Sequence, residues 1–425
     1  MIYYNPYFKE LQDERIEIIE EKVIKNNCFI YAYLHPNTSI VCPLCNGSNI
    51  ILYGKKQRKI NCDIFAHYKS IFILSYHRYL CKNCNHIFND TNNITNRKES
   101  ISKNIKLQIL EDLKEDLTFT YIANHNNVSI NTVIELFEKY IHPVRKILPE
   151  VMCIDEFKNL KNSDGKYAFL MLDPLTHKVI DVLPDRRTER LERYFYSIPW
   201  EERKNVKYII SDMYYPYRSV IKKLFPNSTH IVDVFHYTRY VCDAFQSVRI
   251  RIQNKFPSNS KEYRILKNNW KLLSLNIKDL TTDKYYNAYQ QKQTSQSEII
   301  NDCLSLSPEL AGAYNLYQDF LISLNNVKFQ DAENFINDWI NSLTNCDIAE
   351  FYDIRNTFIN WKDEIINSFI RFGERKLHNG YIEGINNHVK SIKKISYGYK
   401  NFTHFRNKIM YVINKDCTSK NYFLF

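Results

Sequence analysis

Between Val151 and Val234 five short apolar runs alternate with turns and helical stretches, and their order restricts the fold more than any other feature of this chain. The runs are 151–157, 167–172, 178–183, 206–211 and 229–234. Asp164-Gly165 reads as the hairpin turn between the first two, and Asp173-Pro174 as a turn before the third. TERLERYFYSI (188–198) and YRSVIKKLF (217–225) have helical periodicity and separate the last runs. Three strands in hairpin succession, then helix, strand, helix, strand, predict a sheet whose first strand is central and lies beside the fourth. Asp155, on the first run, and Asp212, closing the fourth, then become neighbours.

That strand order is the order of a ribonuclease-H-like core. Two strand-end aspartates with a third carboxylate can hold a pair of divalent ions, the usual apparatus for in-line displacement at a phosphodiester. The third candidate is Glu383 in NGYIEGINNHVK. Ile382, Ile385, Val389 and Ile392 recur at helical spacing as a buried stripe, and Glu383, Asn387, Lys390 and Lys394 recur on a polar face. The helix suits a metal ligand with a DNA backbone beside it. Taken alone, it better suits a solvated amphipathic helix whose acid complements the N-terminal dipole. Asp155 is followed by Glu156, and either can be the ligand. Asp233 and His236, in VDVFH after the fifth run, suit an outer shell to the metal site or a structural hydrogen-bonded pair.

Upstream lie two Cys-x-x-Cys knuckles, Cys42-Pro-Leu-Cys45 and Cys81-Lys-Asn-Cys84. Their spacing predicts one tetrahedral zinc site in a zinc ribbon. Cys62, between the knuckles, reads as a core thiol, and His86 as a surface residue. A basic stretch, GKKQRK (54–59), and a β-rich run, SIFILSYHRYL (70–80), separate the knuckles. FTYIANHNNVSINTVIELFEKYI (119–141) has a helix-turn-helix rhythm, with Ser129 as N-cap and Asn131 offered to a major groove. The same rhythm fits an ordinary αα-hairpin.

The formal net charge of +11 over 425 residues favours polyanionic partners. Eleven cysteines, an odd number, and acids where a secretory segment would be apolar predict a reducing, cytoplasmic setting. No apolar run reaches the length of a membrane helix. Residues 236–375 are almost wholly helical in pattern. After Glu383, Lys390, Lys393, Lys394, Lys400 and Arg406 interleave with Tyr397, Tyr399 and Phe402, a mixture that can neutralise phosphates and stack on bases. A charged helix packed on the core by its aromatics has the same composition.

IDEF, SDMYYPYR, VDVFH and EGINNHVKSIKKISYGYKNFTHFRNKI, taken in this order behind CPLC and CKNC, resemble the ISL-three family of insertion-sequence transposases. Where the family tends to have arginines before its Tyr-Gly pair, Lys393-Lys394-Ile395-Ser396 keeps the charge. The resemblance implies a DDE transposase, with Asp155, Asp212 and Glu383 as catalytic triad and two catalytic Mg²⁺, beside the one structural Zn²⁺ that the knuckle spacing predicts. It implies terminal inverted repeats as the DNA bound; target DNA is the expected second partner, and pairing two ends calls for a homodimer or higher oligomer on DNA. The expected architecture is multidomain α/β: a zinc ribbon (1–98), a helix-turn-helix (99–147), a ribonuclease-H-like core (148–240), an all-α insertion (241–370), and the rest of the core with the basic C-terminal helix (371–425).

Overall fold

The computed structural model describes residues 13–65, 68–287, 292–395 and 401–415. Lys400, Tyr397 and Tyr399 lie outside the described residues. Contacts divide the chain into two compact units, one of residues 1–145, 160–163 and 387–425, the other of residues 146–159 and 164–386.

The first unit opens with β1 (Ile16–Ile24), β2 (Asn27–Leu34), β3 (Ile50–Phe65), β4 (Tyr68–Cys81) and β5 (Ile87–Asn89), in the order β1-β2-β4-β3 with β5 on β4. Alternation along β2 and β4 buries Ile30, Ala32, Leu34, Phe72 and Leu74 on one face. Cys62 belongs to this core. Three helices follow: α1 (Lys103–Asp112), α2 (Phe119–His125) and α3 (Ile130–Tyr140). Thr118 Oγ1 caps α2 by accepting from the Tyr121 amide at 2.9 Å, and Ser129 Oγ caps α3 from Thr132 at 3.1 Å.

The second unit is built on β6 (Val151–Lys158), β7 (Tyr167–Asp173), β8 (Lys178–Leu183), β9 (Tyr208–Ser211) and β10 (Thr229–Val232). Their order is β10-β9-β6-β7-β8. The hairpins β6–β7 and β7–β8 are antiparallel, whereas β6–β9 and β9–β10 are parallel. The first strand is therefore central and beside the fourth, as its sequence order predicts. Helices α4 (Thr188–Tyr196), α5 (Trp200–Lys204) and α6 (Tyr215–Leu224) connect the later strands, and Leu191, Phe195, Tyr217 and Leu224 pack onto the sheet.

From α7 (Val234–Gln253) onward the unit is helical: α8 (Lys261–Asn268), α9 (Trp270–Leu273), α10 (Gln296–Leu304), α11 (Pro308–Asn326), α12 (Ala332–Thr344), α13 (Ala349–Asn360) and α14 (Lys362–Asn367). Phe245, Tyr317, Phe320, Trp339 and Phe358 are among their core. The stretch expected to be all-α also holds a small ribbon, β11 (Tyr285–Asn287) with β12 (Lys292–Thr294). A second ribbon, β13 (Arg371–Phe372) with β14 (Arg375–Lys376), precedes α15 (Gly380–Ile395) and α16 (Phe402–Asn414).

The segment from residue 387, which the sequence groups with the catalytic core, is grouped by contacts with residues 1–145. The cause is burial of α16 among α1–α3. Tyr411 lies in their core and donates to the Leu110 carbonyl at 3.0 Å. The buried Lys408 Nζ donates to the carbonyls of Leu113 (2.7 Å) and Glu115 (2.9 Å).

Candidate active site and metal centres

The ladder between β6 and β9 ends in register at Cys153 opposite Ile210. Asp155 and Asp212 each lie two residues further on, so equal offset along parallel strands puts them on the same side of the sheet edge. One ligand atom from each of Asp155, Glu156 and Asp212 falls within 4.8 Å of the others. Glu156 thus joins the two aspartates. Glu383 is outside this group and exposed, in the first turn of α15.

Asp155 Oδ1 accepts from the Glu156 amide at 2.7 Å, and its Oδ2 accepts from Asn386 Nδ2 at 2.7 Å. Asn386 is buried on α15, three residues after Glu383, and its Oδ1 has no partner among the described residues. The Oδ1 of Asp212 is also buried without a partner among the described residues. Burial pushes the Asp155 carboxyl up to about 6, with Glu156 and Asp233 adding and the Glu156 and Asn386 donors opposing. Burial pushes Asp212 up to about 7, with Glu156 and Asp155 adding and Arg186 opposing.

Glu156 is held differently. It pairs with Arg186 and accepts from Tyr217 Oη at 2.7 Å. The Arg186 guanidinium stacks between the rings of Tyr167 (4.5 Å) and Tyr214 (4.4 Å). Ser211, next to Asp212, is fully buried and bonds both the Asp212 carbonyl (2.8 Å) and His230 Nε2 (2.7 Å). Asp233 occupies the N-cap position of α7 without a side-chain capping bond, is buried, and accepts from the Asn379 amide at 3.4 Å. The half-buried His236 follows it, and burial lowers its proton affinity. The three carboxylates offer hard oxygen donors, two of them charge-strained and one with an orphaned oxygen. Such a set fits a divalent cation of the Mg²⁺ class.

The second group is Cys42, Cys45, Cys81 and Cys84. Their Sγ atoms approach to 3.6 Å (Cys42–Cys84) and 3.5 Å (Cys45–Cys81). Sulfurs around one zinc lie about 3.8 Å apart, given bonds of about 2.3 Å, so the four thiols fit that ion. Each knuckle closes with an asparagine at positive φ, Asn46 at 53° and Asn85 at 56°. The Cys42 amide donates to the Gly47 carbonyl at 3.0 Å and the Cys81 amide to His86 at 2.9 Å. His86 stacks on Phe88 and is no member of the group.

Among the polar candidates, Asn131 is exposed in the first turn of α3. Asn387, Lys390 and Lys394 are exposed on α15, with Lys390 Nζ 3.1 Å from Asn387 Oδ1, and Lys393 is half-buried. Arg406 is half-buried and donates to the Pro143 carbonyl at 3.1 Å. Sequence reasoning missed Asn386, Arg186 and Tyr217. Asn386 alone had a local signal, because it falls on the apolar stripe one turn after Ile382, where a buried amide needs a partner.

Residues 152–409 match the ISL-three (ISL3) family of DDE transposases, described as transposase. The chain belongs to this family. It is 24% identical over 265 residues to the transposase for insertion sequence element IS1001 of Bordetella parapertussis, covering 61% of this chain and 60% of that protein. It is 32% identical over 117 residues to a Lactococcus lactis protein named ATP-dependent protease, covering 27% of this chain and 34% of that one. The chain thus spans less than two thirds of either relative. A solved simian T-cell lymphotropic virus intasome, in complex with PP2A regulatory subunit B56 gamma, aligns at 13% identity over 46% of this chain and 73% of that one. Its TM-score of 0.16 carries no argument.

Proposed function

We propose that this chain binds the terminal inverted repeats of an insertion sequence and performs metal-dependent strand cleavage and strand transfer from a ribonuclease-H-like core. The observation that carries the reading is the meeting of Asp155 and Asp212 at equal offsets on paired parallel strands, both holding protons far above the ordinary carboxylate range.

In this reading Asp155 and Asp212 hold two Mg²⁺ between them, and Glu383 completes the set. Asn386, in the second turn of α15, donates to Asp155, and Glu383 lies three residues before it on the same helix. When bound, the ions supply Lewis-acid activation of a nucleophilic hydroxyl and stabilise the leaving oxygen. Asn386 orients the Asp155 carboxylate, and Ser211 with His230 fixes the peptide at Asp212. Asp233 and His236 support the start of α7 beside them. Glu156, held by Arg186 and Tyr217, is the alternative ligand to Asp155.

The four cysteines hold one structural Zn²⁺ in a zinc ribbon, and α2–α3 form the helix-turn-helix that offers Asn131 to base edges. Asn387, Lys390, Lys393, Lys394, Lys400 and Arg406 meet phosphates near the scissile bond. Target DNA is the second substrate, and pairing two ends calls for at least a homodimer. No helix among the described residues is long and apolar enough to cross a membrane. Cytoplasmic work on nucleoid DNA belongs to this proposal.

The test is incubation with labelled element ends and a target plasmid in Mg²⁺. Joined products support the proposal. Cut-only products point to a nuclease, and bound but intact DNA points to a non-catalytic DNA-binding derivative.

A further inference from the structure

Charge of opposite sign is sorted to the two edges of the N-terminal sheet. β3, at one edge, carries Lys55, Lys56, Arg58 and Lys59, with its one acid, Asp63, near the end of the strand. β1, at the other, carries Glu17, Glu20 and Glu21 against one base, Lys22, all exposed. Two of these acids are internally satisfied, Glu17 by His35 at 2.8 Å and Glu20 by Lys22 at 2.7 Å.

The lysines of β3 are not. Lys55, Lys56 and Lys59 are exposed, and none of them has a carboxylate partner among the described residues. Lys55 Nζ lies over the Tyr33 ring, 5.2 Å from its centroid. From Ile50 to Ile60 no described residue pairs with the outer edge of β3. Alternation puts Lys55, Gln57 and Lys59 on one face, and Lys56 on the other, so the ammonium groups straddle the edge. Arg58 is spoken for: it donates to the carbonyls of Asn96 and Glu99. From Lys55 to Lys59 the strand runs about 13 Å, room for two or three phosphates.

We infer that the β3 edge, through Lys55, Lys56 and Lys59, is a docking surface for the phosphate backbone of duplex DNA. The inference rests on the end-binding reading above and names the surface that carries it. Lysines also guard an edge strand against pairing with another chain. Guarding needs charge of either sign, and the glutamates of β1 serve it equally. Sorting of sign between the edges is what a polyanion explains and guarding does not.

The test compares the full-length, zinc-loaded protein with Lys55→Gln/Lys56→Gln/Lys59→Gln and with Glu17→Gln/Glu20→Gln/Glu21→Gln. Each is titrated against element-end duplex and a scrambled duplex at several salt concentrations. The lysine variant should bind both duplexes at least ten-fold more weakly at low salt and keep its preference for the end. Its slope of log affinity against log salt should shrink by about two to three, at roughly 0.9 per lost phosphate contact. The glutamine variant of β1 should bind as the unaltered protein or more tightly.

Acetylation footprinting of the unaltered protein gives an answer independent of how the variant folds: DNA should protect Lys55, Lys56 and Lys59. Unchanged affinity with unprotected lysines would overturn the inference while the end-binding reading stands. Self-association of the lysine variant with normal DNA binding would return these residues to edge guarding. Failure of the unaltered protein to bind any duplex would overturn both.

Discussion

Asp155 and Asp212 are expensive to bury without a counter-charge. An unfolded aspartate ionises near 4, whereas these hold their protons to about 6 and about 7 in the folded chain. Over the interval from about pH 4 to 7 the folded state therefore binds more protons than the unfolded one, so ion-free stability falls as pH rises through it. The penalty is absent below pH 4 and complete above 7. By these shifts ionisation costs about 3 kcal/mol at Asp155 and about 4 kcal/mol at Asp212, so Asp155→Asn and Asp212→Asn should raise ion-free stability by up to those amounts at pH 7.5, Asp212→Asn by the more, and by little at pH 4. Thermal melts at the two pH values check this, and equal effects at both would mean that buried charge is not the cause. Divalent cations compete with those protons, so the rise in melting temperature produced by saturating Mg²⁺ should grow from pH 5.5 to 7.5.

At the scale of elements, much of the β6–β10 sheet was legible because each strand is a short apolar run punctuated by Gly, Pro or Asp. The predicted run 167–172 is observed as Tyr167–Asp173, and 178–183 as Lys178–Leu183. The central place of β6 beside β9 followed from connection rules alone. Side-chain company did not follow. Asp155 and Glu156 are adjacent, and alternation normally sends neighbours to opposite faces, yet both reach the same acidic group. Arg186 and Tyr217 hold Glu156 across distances in sequence that no local pattern encodes. Lys408 looks like one more basic residue in the C-terminal segment. The fold spends it on two carbonyl oxygens of another helix end, and burial lowers its pKa to about 8. Lys408→Met should therefore destabilise the first unit by about 2 kcal/mol, leaving those acceptors unpaired. A denaturant melt that matched the unaltered protein would remove that role. The cysteine group gives a second prediction. Chelation of zinc, or Cys81→Ser, should make residues 1–98 protease-sensitive, since binding energy at such a site is folding energy. A purified protein without zinc whose N-terminal region resists protease would contradict it.

For the whole molecule the proposal divides labour between positions that read sequence and positions that hold backbone. Asn131, exposed in the first turn of α3, belongs to the first kind. Asn131→Ala should cost about 1–3 kcal/mol of discrimination between cognate and scrambled ends, with little change in salt dependence. Lys390 and Lys394, exposed on α15, belong to the second. Neutralising both should weaken binding about equally on either DNA and reduce the salt slope by about two. Titration of both variants against both duplexes decides the matter, and exchange of the two outcomes would reverse the assigned roles.

The claim on which everything else depends is that Asp155, Asp212 and Glu383 act as one metal-dependent site. It is tested most directly by cleavage of labelled element ends in Mg²⁺ and Mn²⁺ with Asp155→Asn, Asp212→Asn, Glu383→Gln and Glu156→Gln, end binding being measured in parallel. The account predicts that the first three lose cleavage by a factor on the order of 10³ or more with binding nearly intact, and that Glu156→Gln retains metal-dependent cutting. Cleavage by Asp212→Asn at the rate of the unaltered protein would contradict the account. Loss of cutting in Glu156→Gln together with its survival in Asp155→Asn would move the ligand to the neighbouring residue.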